Sequence, residues 1–160
     1  MSDLIGQDDK SQAEELERSK VLGDIQDGTR FLVSKLEGES YEEWWTHVVV
    51  IGGKLYENHA SHCSCDNFDG QWDPEPTSLK YLLSKYCWNL SFLSDEDKVE
   101  LSRLAKLYAP GCEILNMFEV KQAGSAGKGR MYASREPAER DAAILSKSHG
   151  DTFEVIEVEQ

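Results

Sequence analysis

The run from Trp44 to Ile51, closed by Gly52-Gly53, constrains this chain more than any other feature, because it dictates a β-hairpin before anything else is considered. Trp, Thr and Val suit a pleated, half-buried surface, and two adjacent glycines take the positive φ angles of a two-residue turn without strain. A return strand over Lys54 to Ala60 follows. In that register Val50 opposes Leu55, Val48 opposes Glu57 and Thr46 opposes His59, so His47 and His59 point to opposite faces of the sheet. The first strand is apolar on both faces and reads as interior, whereas the second alternates and reads as nearer an edge. Trp44 and Trp45 place one indole on each face, and a tryptophan pair opening a central strand reads as core.

The 160 residues are enough for one hydrophobic core. Residues 1–10 are polar and weakly patterned and read as a disordered N-terminal tail, with a single domain over 11–160. Leu22, Ile25, Thr29, Leu32 and Leu36 recur at three- and four-residue steps, which predicts a helix broken or kinked at Gly23 and Gly28. Thr77 or Ser78 caps a helix over Leu79, Leu82, Leu83 and Tyr86. Ser94 caps another, with Leu101, Leu104, Ala105 and Tyr108 inward and Pro110-Gly111 as its stop. The remainder reads as strand (Glu113 to Lys121), a Gly-rich turn (Ala123 to Gly129), strand (Arg130 to Ala133), a helix capped by Ser134 with Ala138, Ala142 and Leu145 inward, and strand (Thr152 to Val158). The expected fold is a single α+β domain: an antiparallel or mixed sheet with helices mainly on one face, ending in a ββαβ unit.

A formal charge of −13 argues against direct nucleic-acid binding, since Lys and Arg supply most phosphate affinity, and favours a partner with a basic surface. Acidic residues outnumber basic ones from Asp3 to Glu43 and again from Asp66 to Glu75 and Asp95 to Glu100. The opening residues lack a basic start followed by an apolar run, and no stretch reaches the roughly 18 apolar residues of a membrane span, so the expectation is a cytoplasmic protein without membrane contact. Cys63, Cys65, Cys87 and Cys112 would stay reduced there, open to burial, metal binding or reactivity.

Chemistry concentrates in His59-Ala-Ser-His-Cys-Ser-Cys65 and the acidic residues after it. If the strand stays extended past Ala60, odd positions share a face, so His59, Cys63 and Cys65 lie on one side and His62 on the other. Zinc takes imidazole and thiolate, and Cys87 or Cys112 would complete a tetrahedron; the paired spacings usual in structural sites are missing. The competing reading makes the cysteines small buried hydrophobes. No cofactor is expected, with zinc on His59, Cys63, Cys65 and Cys87 as the alternative.

The loop from Asp66 to Asp73 has the composition of a calcium loop but not its spacing, and reads as a turn pinned by Phe68 and Trp72. Gly124-Ser-Ala-Gly-Lys128 lacks the spacing and the hydroxyl of a phosphate loop and reads as a hairpin loop, although Lys121, Lys128 and Arg130 leave an anionic ligand as a third reading. Cys63 would need His59 or His62 positioned as a base, which sequence adjacency does not supply. Enzymatic activity is therefore the minority reading.

The segment Cys63-Ser-Cys-Asp-Asn-Phe-Asp-Gly-Gln-Trp-Asp-Pro-Glu-Pro-Thr-Ser78, after a Gly-Gly hairpin, resembles a segment of small uncharacterised proteins of tailed bacteriophages. The resemblance carries no activity of its own. It implies an infected bacterial cell, in which small acidic proteins bind and inhibit or redirect host machinery. The expected function is accordingly binding to a host protein through Asp66, Phe68, Asp69, Trp72, Asp73 and Glu75, with Trp72 and Trp88 as exposed anchors and carboxylates competing for a basic, nucleic-acid-binding surface. The oligomeric state is unspecified.

Overall fold

The computed structural model describes residues 4–39, 41–63, 67–84, 87–112, 117–125, 129–133 and 135–158, with Trp88 and Met117 described by backbone alone. Its centre is the hairpin. Strands β1 (Arg30–Glu39), β2 (Glu42–Ile51), β3 (Lys54–Cys63) and the two-residue β4 (Glu75–Pro76) form an antiparallel sheet in the order β1-β2-β3-β4. Gly52 and Gly53 turn it at φ 57° and 75°, and the register pairs Val50 with Leu55, Val48 with Glu57 and Thr46 with His59, as the sequence requires.

Both faces of β2 are covered along most of its length. Trp45, His47 and Val49 face α1 (Asp9–Ser19), the 3-10 turn Lys20–Leu22 and the 67–73 loop, where Leu22 packs with Trp45, Ala60, Phe68 and Trp72. Val48 and Val50 face α2 (Leu79–Leu82) and α3 (Asp95–Tyr108) through Leu79, Leu82, Leu101 and Leu104. Helices thus stand on both sides of this sheet, where the sequence placed most on one, because β2 is apolar on both faces and each must be buried. Ser78 and Ser94 cap α2 and α3 as expected, accepting from the N–H groups of Tyr81 and Asp97 at 3.1 and 3.0 Å.

Two segments differ from the sequence reading. The helix predicted through Leu32 and Leu36 ends at Ser19, and Arg30–Glu39 is β1. A register irregularity between Phe31 and Val33 lets Phe31, Leu32 and Val33 all be fully buried, a continuous apolar run whose burial outweighs the three- and four-residue spacing. Residues 4–8, placed in a tail by the sequence, run beside β1: Leu4 bridges Val33, the Ile5 N–H donates to the Leu32 carbonyl at 3.0 Å, and Asp8 caps α1.

The C-terminal ββαβ order is present, but it builds its own sheet. Strands β5 (Met117–Gln122), β6 (Arg130–Tyr132) and β7 (Phe153–Val158) lie in the order β6-β5-β7, all antiparallel, under α4 (Arg135–His149). Ala138 and Ala142 are buried there against Phe118 and Val120, with Leu145 beside them. The chain is therefore α+β with two antiparallel sheets in place of one. Ala133 belongs to the core of the first sheet, and Arg140 on α4 pairs with Glu75 on β4. Glu113 to Asn116 and the proposed cap Ser134 lie outside the described residues.

Candidate functional site

The exposed end of the β1–β2–β3 meander carries the candidate site. Beyond the reach of α2 and α3, the face that holds Val48 and Val50 continues as Thr46 and Trp44 on β2. Lys35 and Glu37 flank these on β1, and His59 and Ser61 on β3. Glu37, Trp44 and Ser61 form one row across three strands, and Lys35, Thr46 and His59 the next. Asn89, Ser91 and Phe92 rise beside this floor and enclose a cleft of about 720 Å³. That size lies within the roughly 300–1,000 Å³ of ordinary ligand sites.

His59 is fixed by its neighbours on that floor. Its Nε2 lies 3.2 Å from Glu57 Oε2 and 3.2 Å from Asn89 Nδ2, with Thr46 Oγ1 3.5 Å from Nδ1. Lys35 Nζ sits 5.2 Å from the centre of the Phe92 ring and closes one end. The other end is open: Trp44 is 53% exposed, Tyr41 near the strand turn is 74% exposed, and no cation among the described residues pairs with Glu37, Glu39 or Glu42. Glu43 is engaged by His62, whose Nε2 lies 2.7 Å from its Oε2.

The other face hides a polar cluster that resembles catalytic machinery in composition. Ser34 donates to Glu15 Oε1 at 2.5 Å, Ser19 donates to the same oxygen at 3.1 Å, and Trp45 Nε1 donates to Ser34 Oγ at 2.9 Å. His47 Nε2 is 3.2 Å from Ser19 Oγ and 3.5 Å from Glu15 Oε1. Since the Ser19 proton is given to Glu15, its oxygen accepts from His47 Nε2–H. The serine therefore has no base, because a triad needs that nitrogen as the acceptor. Ser19 and His47 are fully buried, so no substrate reaches them. Burial alone would raise the Glu15 carboxyl, but His47, Ser34 and Arg18 outweigh it and hold the carboxyl below its ordinary range. Burial pushes His47 down against the pull of Glu15, so the pair is a carboxylate beside a neutral imidazole. The cluster fastens α1 to the sheet.

The sequence-predicted metal residues that are described, His59, Cys63 and Cys87, do not converge. His59 and Cys63 share a face of β3, but four residues of strand separate them by about 13 Å, too far for one ion held at about 2 Å by each ligand. Shared parity is not proximity. Cys87 is buried in the apolar core that also holds Leu90 and Leu93, where burial and then Glu57 push its thiol up to about 12. Among the described residues no three His, Cys, Asp or Glu gather around a point where a metal ion would fit, and Cys65 lies outside them.

The acidic loop is placed differently from the expectation as well. Trp72 packs inward on Phe31 and His47 at 6.1 and 5.7 Å between ring centres, and its Nε1 donates to Gln26 Oε1 at 2.9 Å. Phe68 packs on Trp45 and His62. Both aromatics pin the loop, as the turn reading held, and neither is an exposed anchor. Asp69 and Asp73 remain exposed, whereas Glu75 is paired with Arg140. Asp66, Lys128 and the Trp88 side chain lie outside the described set. An aromatic group ringed by carboxylates does exist, at Trp44 and Tyr41. The sequence reading misses it because Leu36, next to Glu37, is placed in a helix and Trp44 in the core.

No family model, curated protein or solved structure matches this chain. No helix among the described residues is long and apolar enough to cross a membrane.

Proposed function

We infer that this chain is a non-catalytic binding protein that docks on a basic surface of another protein through the open end of the meander. The observation that carries this reading is Trp44: a large indole half out of the fold, with Glu37 opposite it in the ladder and Glu39 and Glu42 nearby. Tryptophan is enriched among the few residues that dominate binding energies, and carboxylates around it select a positive partner. The net charge of −13 adds long-range attraction of the same sign.

The phage-like segment from Cys63 to Ser78 supports a bacterial host protein as that partner, met in the cytoplasm of an infected cell. The carboxylates would compete for Lys and Arg that otherwise hold nucleic-acid phosphate, so docking would inhibit or redirect the host protein. Neither a metal reading nor an anionic-ligand reading gains a specific observation.

The test is a tagged pull-down from bacterial lysate, washed in steps of rising salt, with wild type and Trp44→Asp side by side. A stoichiometric partner that elutes at moderate salt, is absent from the variant, and loses nucleic-acid affinity when saturated with wild type is the expected result. A partner held equally by both proteins, or bound without regard to salt, overturns the reading.

A further inference from the structure

Resting on that docking reading, we propose that the cleft takes arginine side chains of the partner, presented on an extended segment. The floor offers an exposed aromatic side chain and acceptors in one row: Trp44 between Glu37 and Ser61 across three strands. A guanidinium is planar and weakly hydrated, stacks on indole, and presents a fork of N–H donors that a carboxylate receives two at a time. A lysine ammonium shares the charge but neither the plane nor the fork.

Alternatives fit the lining less well. A purely apolar occupant would bury the Glu37 carboxylate and the Ser61 hydroxyl against hydrocarbon, which costs the desolvation of each group. An anionic occupant would meet Glu37, and Lys35, the cation beside the cleft, already lies over Phe92 at the opposite end from Trp44. The chain already uses this chemistry at the far end, where Lys35 lies over Phe92 at 5.2 Å, leaving the Trp44 face free for a cation from outside. At about 720 Å³ the cleft exceeds one side chain, so a segment with alternate residues pointing inward is the occupant that fills it.

Calorimetry on the full chain tests this with a short glycine-spaced peptide carrying two arginines, and with the same peptide carrying lysine or neutral, isosteric citrulline. The arginine peptide is expected to bind about tenfold more tightly than either counterpart, and Trp44→Leu and Glu37→Gln are each expected to weaken it about tenfold. Both residues are exposed, so melting temperatures should be unchanged and folding loss does not confound the result. Equal affinity for arginine and lysine peptides, or affinity unaffected by both substitutions, overturns the arginine site. If the salt-eluted partner is still captured in that case, the docking reading survives; loss of both results overturns the two together.

Discussion

The side-chain amide of Gln71 bonds both backbone groups of Ser61: it accepts from the Ser61 N–H at 2.8 Å and donates to the Ser61 carbonyl at 2.8 Å. It stands where another strand would pair with β3. Gln12 does the same for β1, accepting from the Phe31 N–H and donating to its carbonyl, each at 2.9 Å. Two glutamines thus blunt the two edges of the meander, where unpaired backbone would otherwise recruit another chain. Gln71→Ala is expected to cost about 1–2 kcal/mol and to increase self-association. Urea unfolding and sedimentation velocity would show both; an unaltered sedimentation profile removes the edge-blocking role.

Trp44 and Trp72 are expected to behave oppositely. Trp72→Ala removes packing against Phe31 and His47 and should destabilise by about 2–3 kcal/mol. Trp44→Ala should change stability by no more than about 0.5 kcal/mol while abolishing partner capture. Thermal unfolding run beside the pull-down separates them, and a reversed pattern would return the binding role to the acidic loop.

Gly38 supplies a third test, at the base of the site. It sits at φ 119°, and a Cβ there would overlap the Glu42 carbonyl oxygen across the β1–β2 ladder. Gly38→Ala must push the strands apart beside Glu37 and Trp44, so it should lose partner binding together with at least about 1 kcal/mol of stability. Wild-type affinity in this variant would show that the site does not depend on the ladder at that point.

Acid sensitivity follows from the Glu15–His47 pair. Both groups are shifted downward in the fold, so the unfolded chain binds more protons, and stability rises with pH wherever that holds. The His47 contribution is present above its unfolded value of 6.5 and is lost as pH falls toward its lower folded value. Glu15 adds a further loss as pH falls below 4.5 toward its own folded value. Urea unfolding between pH 7 and 5 should show a decline that His47→Gln flattens. The same slope in wild type and variant would place its origin elsewhere.

Chelation is expected to leave the melting temperature unchanged, because the described His and Cys residues do not assemble a ligand set. A fall of several degrees in chelator, recovered with zinc, would establish a site that includes residues beyond them.

How much of this was legible depends on the range of the interactions. The Gly52-Gly53 hairpin, its register, the caps Ser78 and Ser94, the inward stripes of α3 and α4 and the ββαβ order were all readable, since alternation, capping and turn chemistry act over a few residues. β1 was misread because Leu32 and Leu36 fit a helical period, and a bulge that buries three successive residues leaves no period of its own. For the alternative zinc reading, parity along β3 aligns His59 and Cys63 on one face, but the length of the strand between them holds the two apart.

By itself, then, the sequence determined the α+β class, the hairpin that centres it, and a strongly acidic net charge. Tertiary structure alone decided that Trp44 stays outside while Trp45 and Trp72 pack inward, that helices cover both faces of the first sheet, and that the last strands form a sheet of their own. The reason is physical: local pattern records which residues prefer burial, but what covers each one comes from distant segments. Trp72 gained Phe31 and His47 by that route, and the described residues brought no ring to cover Trp44.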